Sequence, residues 1–217
     1  MIFKTRDRAR NASNARNSFV TKRAETKLNA LTDYFKLASG EHWVKAQSNV
    51  LRRKLFFSGF SYMDSLELVY NWENRFLSVN YNLQMISVLP TNVQQFEETG
   101  NCFFELECTA SALKGTKSFS WNCNLWNESE EKLNAYIERL SNHFILERLN
   151  ALDIMIMEIR HKKGQDHWSI SCESIIGSAT WMLIPPVFSA ITPKLEECIK
   201  FLELYELLGD ALVNNRA

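Results

Sequence analysis

The stretch Phe119-Ser120-Trp121-Asn122-Cys123-Asn124-Leu125 alternates apolar and polar side chains without a break. Successive side chains of a strand point to opposite faces, so this is a β-strand that buries Phe, Trp, Cys and Leu and turns Ser and Asn outward. Three more stretches repeat the pattern: Leu66, Leu68, Tyr70 and Trp72; then Leu77, Val79, Tyr81, Leu83 and Met85; then Cys102, Phe104, Leu106, Cys108 and Ala110. The short polar connection Glu73-Asn74-Arg75 makes the first two a hairpin, and residues 111–117, with Gly115, join the third to the stretch at Phe119. Alternation of this kind marks an antiparallel sheet with one buried face.

Helices flank these strands. Leu28, Leu31, Phe35 and Leu37, then Val44, Val50, Leu51 and Leu55, recur at near-helical spacing around Gly40, which predicts two helices, or one broken at Gly40. Asn127 as a cap, with Glu130 three residues on, opens a helix whose apolar stripe is Leu133, Tyr136, Ile137, Leu140 and Phe144. Leu152 to Ile159 is apolar on both faces apart from Asp153 and Glu158, as in a central strand, and a turn over residues 161–166 returns it to Trp168, Ile170 and Cys172. Thr192 as N-cap with Pro193 at the first helical position, and Glu196 and Glu197 in the first turn, start a last helix that buries Leu195, Cys198, Ile199, Leu202, Tyr205 and Leu212. The fold predicted is α+β: an antiparallel β-sheet meander of about six strands with helices packed on one face.

The 217 residues, 46% of them hydrophobic, suffice for one large core. A net charge of zero hides an asymmetry, because the first 27 residues hold eight basic side chains against Asp7 and Glu25, a net of +6. The division expected is a basic tail over residues 1–22, too polar to fold, and a single domain over 23–217. Lys4, Arg6, Arg8, Arg10 and Arg16 also suit a nucleic-acid arm or a mitochondrial presequence, although no aromatic residue is interleaved with the early arginines to stack on bases.

Five cysteines, odd in number and scattered, read as small core residues in a reducing compartment, and no apolar run follows the basic start as a secretory signal requires. Both points favour a cytoplasmic protein. The longest apolar run, Ile175 to Ile191, is too short to span a bilayer and holds Pro185-Pro186; it is expected in the interior, with no membrane partner.

Signatures of catalysis are missing. There is no G-x-G-x-x-G or Walker loop, no H-E-x-x-H, no C-x-x-C and no nucleophile elbow, so no cofactor is implied and the balance is against an enzyme. Cys108, Cys123 or Cys172 could meet His143, His161 or His167 in space, and Glu105 and Glu107 could act as a pair, but free cysteines are usually buried and these glutamates fall on the outward side of a strand. What remains is an outward face of short uncharged side chains: Asn80, Asn82 and Gln84 on one strand, Ser118, Ser120, Asn122 and Asn124 on another. Such a face suits adaptable hydrogen bonding to a partner or a second subunit, and these seven are the candidate partner-binding residues.

The order of elements, a helix at Val44, strands from Leu66, the helix after Asn127, strands at Leu152 and His167 and the helix after Pro193, resembles the type III secretion chaperone-like fold, including the YbjN-like proteins of bacteria. The resemblance implies a small, non-enzymatic, often dimeric protein that binds other polypeptides, and carries over no functional residue. The leading expectation is therefore a chaperone- or adaptor-like protein, possible as a homodimer. The alternatives are a small-ligand site or enzyme with a pocket between sheet and helices, and nucleic-acid binding through the basic arm.

Overall fold

The structure is a computed structural model that describes residues 19–90, 101–110, 117–126, 129–162, 165 and 167–213. Four α-helices and nine strands lie among them. In chain order they are α1 (Phe19–Ser39), β1 (Trp43–Asn49), β2 (Arg52–Phe57), β3 (Ser65–Arg75), β4 (Ser78–Pro90), β5 (Cys102–Ala110), β6 (Lys117–Leu125), α2 (Glu130–Leu140), α3 (His143–Asn150), β7 (Ile154–His161), β8 (His167–Met182), β9 (Val187–Ala190) and α4 (Leu195–Val213).

All nine strands belong to one antiparallel sheet, ordered β1-β2-β3-β4-β8-β7-β5-β6, with β9 beside the far end of β8. The fold is thus α+β as expected, but the sheet has nine strands rather than about six, and only β1 to β4 run as a meander. β4 pairs next with β8, not with β5, so the 16-residue β8 joins the two halves of the sheet.

The helices cover one face. Ala24, Leu28, Leu31 and Phe35 put a buried stripe on α1, which stops where Gly40 takes a φ of +56° that other residues resist. Phe19 to Lys22 belong to this helix, with Thr21 buried, so the expected tail over 1–22 loses its last four residues to the domain; the rest of it lies outside the described residues. α4 lies over the sheet, where the fully buried Tyr205 donates its hydroxyl to the Met85 carbonyl at 2.9 Å. α2 and α3 close the β5–β6 end, Trp121 donating its indole N–H to the Leu140 carbonyl at 3.0 Å and Tyr136 packing against Phe104 and Trp168.

Four expectations need correction. The helix predicted across Val44, Val50, Leu51 and Leu55 is the β1–β2 hairpin. Its inward positions are Leu51, Arg53, Leu55 and Phe57, and the arginine masks the alternation. Arg53 is 5% exposed and its guanidinium donates to Asn29 Oδ1 at 2.7 and 2.9 Å and to the carbonyls of Asn49 and Arg52, so a cation occupies a core position fully bonded while burial lowers its pKa.

The helix read through Phe144 is two helices, with Ser129 capping the first and Asn142 the second, and Phe144 is exposed; Asn127 lies outside the described residues. The last helix begins at Leu195 rather than Pro193, because the Lys194 amide is held by Glu197 Oε2 at 2.6 Å. Finally, the apolar run 175–191 is interior only at Ile176, Gly177 and Ala179. It forms the end of β8, a turn and β9, and Ile175, Ile184 and Ile191 are 42%, 72% and 49% exposed.

The β2–β3 connection is clamped to α4. Glu206 accepts from the backbone amides of Ser61, Tyr62 and Met63 at 2.7, 3.0 and 2.9 Å, and the Tyr62 hydroxyl donates to Asp210 at 2.8 Å.

Candidate functional site

Because the helices lie on one face, the opposite face of the sheet carries no covering layer of described residues. Register places Glu67, Asn71 and Glu73 of β3 opposite Ile86, Asn82 and Asn80 of β4, and Gln84, Ile86 and Val88 opposite Glu173, Ser171 and Ser169 of β8. All seven residues expected to meet a partner point to this side. They do not form one patch: Asn80, Asn82 and Gln84 lie on β4 and the other four on β6, four strand spacings or about 19 Å away. Gln84 is engaged by Asn71 at 2.9 Å and Ser171 at 2.8 Å, and Asn124 by Glu105 at 2.9 Å.

The largest of the register shifts in the sheet is a bulge in β8. Tyr81 pairs with Ala179 but Leu83 pairs with Ser174, so two residues of β4 span five of β8. Gly177 takes a φ of +84° inside the bulge, and its carbonyl accepts from the buried Tyr70 hydroxyl. The Ser178 hydroxyl accepts from the Leu83 amide at 3.0 Å and donates to the Ser174 carbonyl at 2.7 Å, filling the gap in the ladder.

On the other side of the bulge, β7 starts its pairing with β8 at Ile154 and β9 ends its own at Ala190, which leaves a notch of about 290 Å³ in the uncovered face. Asn80 and Asn82 form one wall with Thr180 and Ser178, and Met155, Ile175 and Ile191 form the other. Half polar and half aliphatic, it can take an apolar side chain while the asparagines bond to backbone beside it. Sequence reasoning found Asn80 and Asn82 but not the notch, since its other wall comes from strands about ninety residues further on.

The chemistry weighed from sequence is placed as follows. Cys172 is fully buried and burial raises its thiol pKa; Cys123 is half-buried, also raised, and bonds to the Leu125 carbonyl; Cys108 is exposed. His161 has a cysteine neighbour, Cys102, which sequence reasoning passed over. The two are direct partners in the β5–β7 register, each 2% exposed, beneath Trp168. Such burial gives a substrate no approach to the sulfur.

Glu105 stands opposite Glu158 on the uncovered face, but Asn124 holds the first and Arg160, stacked on Phe103, holds the second at 2.8 Å. Among the described residues no group of three or more His, Cys, Asp or Glu is placed to hold a metal ion, and no buried side-chain polar atom lacks a partner. A second cavity of about 220 Å³ lies on the helix side of the same bulge, between α1 and the start of α4, lined by Lys27, Tyr34, Tyr70, Gly177 and Pro193 among others; it brings together no carboxylate, cysteine or histidine. No helix among the described residues is long and apolar enough to cross a membrane.

No curated protein and no solved structure matches the chain. Residues 35–212, from the end of α1 through nearly all of α4 and so including the whole sheet, match one protein family; the chain belongs to that family, described as Protein of unknown function (DUF3156).

Proposed function

We propose that this protein is a non-enzymatic docking protein that holds a polypeptide, either another protein or a second copy of itself, on the helix-free face of its sheet. The observation that carries the reading is the β8 notch, where Asn80, Asn82 and Thr180 meet exposed aliphatic side chains on the uncovered face. Short uncharged side chains make adaptable hydrogen bonds at low entropic cost, and the aliphatic wall supplies area to bury. The bonded states of Glu105, Glu158 and Cys123, and the burial of Cys102 and Cys172, favour binding over catalysis.

A photo-crosslinking amino acid placed at Asn82 or Ser120 in living cells tests this, with Asn134 on the exposed side of α2 as control. Polypeptide adducts from Asn82 and Ser120 but not from Asn134 are expected. Light scattering of the purified protein then separates self-association from a foreign partner. Adducts from Asn134 alone, or none from Asn82, would remove the proposal.

A further inference from the structure

One end of the sheet projects beyond the rest. β3 and β4 continue past the β1–β2 turn as the pairs Trp72–Tyr81 to Arg75–Ser78, and β8 and β9 run beside them, with Ser78 opposite Met182 and Met182 opposite Val187. The two turns that close this end are bonded side by side, the Leu183 amide donating to the Leu77 carbonyl at 2.9 Å.

Their side chains are apolar and open. Phe76 is 97% exposed, Ile184 72%, and Leu77, Met182, Leu183 and Val187 are each exposed by 40% or more. From Ser174 to Pro193 the chain has no charged residue at all. Isolated exposed apolar side chains need no explanation, but four on two adjoining turns with two more on the strand ends beside them do.

Behind this tip the chemistry changes in layers. Trp72, Trp181 and Phe188, all half-buried, come next, Trp181 paired with both Val79 and Phe188. Then come cations. Thr21, in the first turn of α1, lies beside the Tyr81 hydroxyl of this same end, and that turn carries exposed Lys22 and Arg23, the latter 4.3 Å from the Phe19 ring.

Aliphatic tips, an aromatic collar and cations behind it are the sequence of layers that a bilayer interface presents in reverse: acyl boundary, interfacial zone, anionic headgroups. Strand pairing and the Leu183–Leu77 bond already use backbone groups of the tip, so it offers little free edge to a peptide strand. We propose that this projecting end docks on an anionic lipid surface, Phe76, Leu183 and Ile184 entering the acyl boundary and Lys22 and Arg23 meeting the headgroups. The notch on the helix-free face is a different surface, and neither proposal depends on the other.

The test is flotation of the full-length protein with vesicles of phosphatidylcholine and phosphatidylglycerol in equal parts, against phosphatidylcholine alone, at low and high salt. Wild type should float with the anionic vesicles and be released by salt. Replacing Leu183→Asp together with Ile184→Asp, or Lys22→Glu together with Arg23→Glu, should weaken binding about tenfold or more. Phe76→Ser, at a side chain almost wholly in solvent, is the variant that leaves the fold untouched, and an unchanged melting temperature checks each protein. Quenching of tryptophan emission by brominated lipid should accompany binding and vanish in the tip variant. The proposal is overturned if wild type does not float at low salt, or if the tip variants float as well as wild type. It is equally overturned if light scattering shows a dimer that the tip variants dissociate while no protein binds vesicles.

Discussion

Replacing Glu206 by alanine should loosen the β2–β3 connection from α4, by an amount that the exposure of three amides sets. The carboxylate accepts from Ser61 through Oε2 and from Tyr62 and Met63 through Oε1. Ser61 is exposed and Tyr62 half-buried, so water replaces much of what those two amides lose, leaving a net cost of about 0.5–1.5 kcal/mol together. Met63 is 1% exposed, and its amide left dry and unpaired costs about 1–3 kcal/mol. The sum is about 2–4 kcal/mol, which for a chain of this length lowers the melting temperature by roughly 5–15 °C.

Glu206→Gln is the informative companion. It keeps one carbonyl oxygen for Tyr62 and Met63 and turns an amide NH₂ toward the exposed Ser61 amide, which can rotate to water, so its cost is about 1 kcal/mol. Thermal and urea unfolding followed by circular dichroism measure both, and hydrogen exchange at Met63 localises the change. The reasoning fails if the alanine variant lies within about 0.5 kcal/mol of wild type, or if glutamine costs as much as alanine.

Gly209→Ala should destabilise by about 1–3 kcal/mol in urea unfolding although alanine is the better helix former by about 1 kcal/mol, because its Cβ would lie 2.3 Å from Tyr62 Cβ, an atom fixed to the clamped backbone. Gly177→Ala should cost about 2–4 kcal/mol by the same assay, since it adds left-handed strain to a Cβ placed 2.7 Å from Leu83 Cδ2. Native thiol labelling read by mass spectrometry should modify Cys108 first, Cys123 more slowly, and Cys102, Cys172 and Cys198 only on unfolding; early loss of the Cys172 thiol would contradict its burial. Alkaline stability should fall for a definable reason. Burial pushes the Cys198 thiol from 9.0 up to about 12 and also raises Cys172, Tyr70 and Tyr205, so the folded state holds protons that the unfolded chain releases. Stability is therefore full below about pH 9 and declines above it, by up to about 1.4 kcal/mol per pH unit for each group, and a flat profile from about pH 9 to 11 would refute this.

Where one residue in two faces the core, the sequence reads directly: Phe119 to Cys123, Leu66 to Trp72 and Val79 to Met85 are strands in the expected phase, and Asn82 and Ser120 point outward as read, whereas Leu77, in the hairpin turn, and Leu125, at the end of β6, are exposed. The same rule fails when the buried position holds a charge or the strand buries nothing. Arg53 interrupts the pattern of β2, and β1 is an edge strand exposed along nearly its whole length, so near-helical spacings among Val44, Val50 and Leu55 took precedence. A second failure came from reading continuous apolarity as burial. Residues 175–191 bury only alternate side chains, since their strand is bulged and then runs out past the end of the helix layer. The seven polar residues were visible one strand at a time, but which of them share a site depends on β8 entering between β4 and β7, a long-range pairing that no local pattern encodes.

That entry has a consequence for how the chain is made. During translation β1 to β4 emerge before β8 and α4, so the inner row Leu66, Leu68, Tyr81, Leu83 and Met85 lacks its α4 cover, and β4 its neighbour strand, until the segment 167–213 has been made. Meanwhile the nascent meander presents an open apolar sheet edge, the condition under which slow folding and capture by cellular holdases are expected.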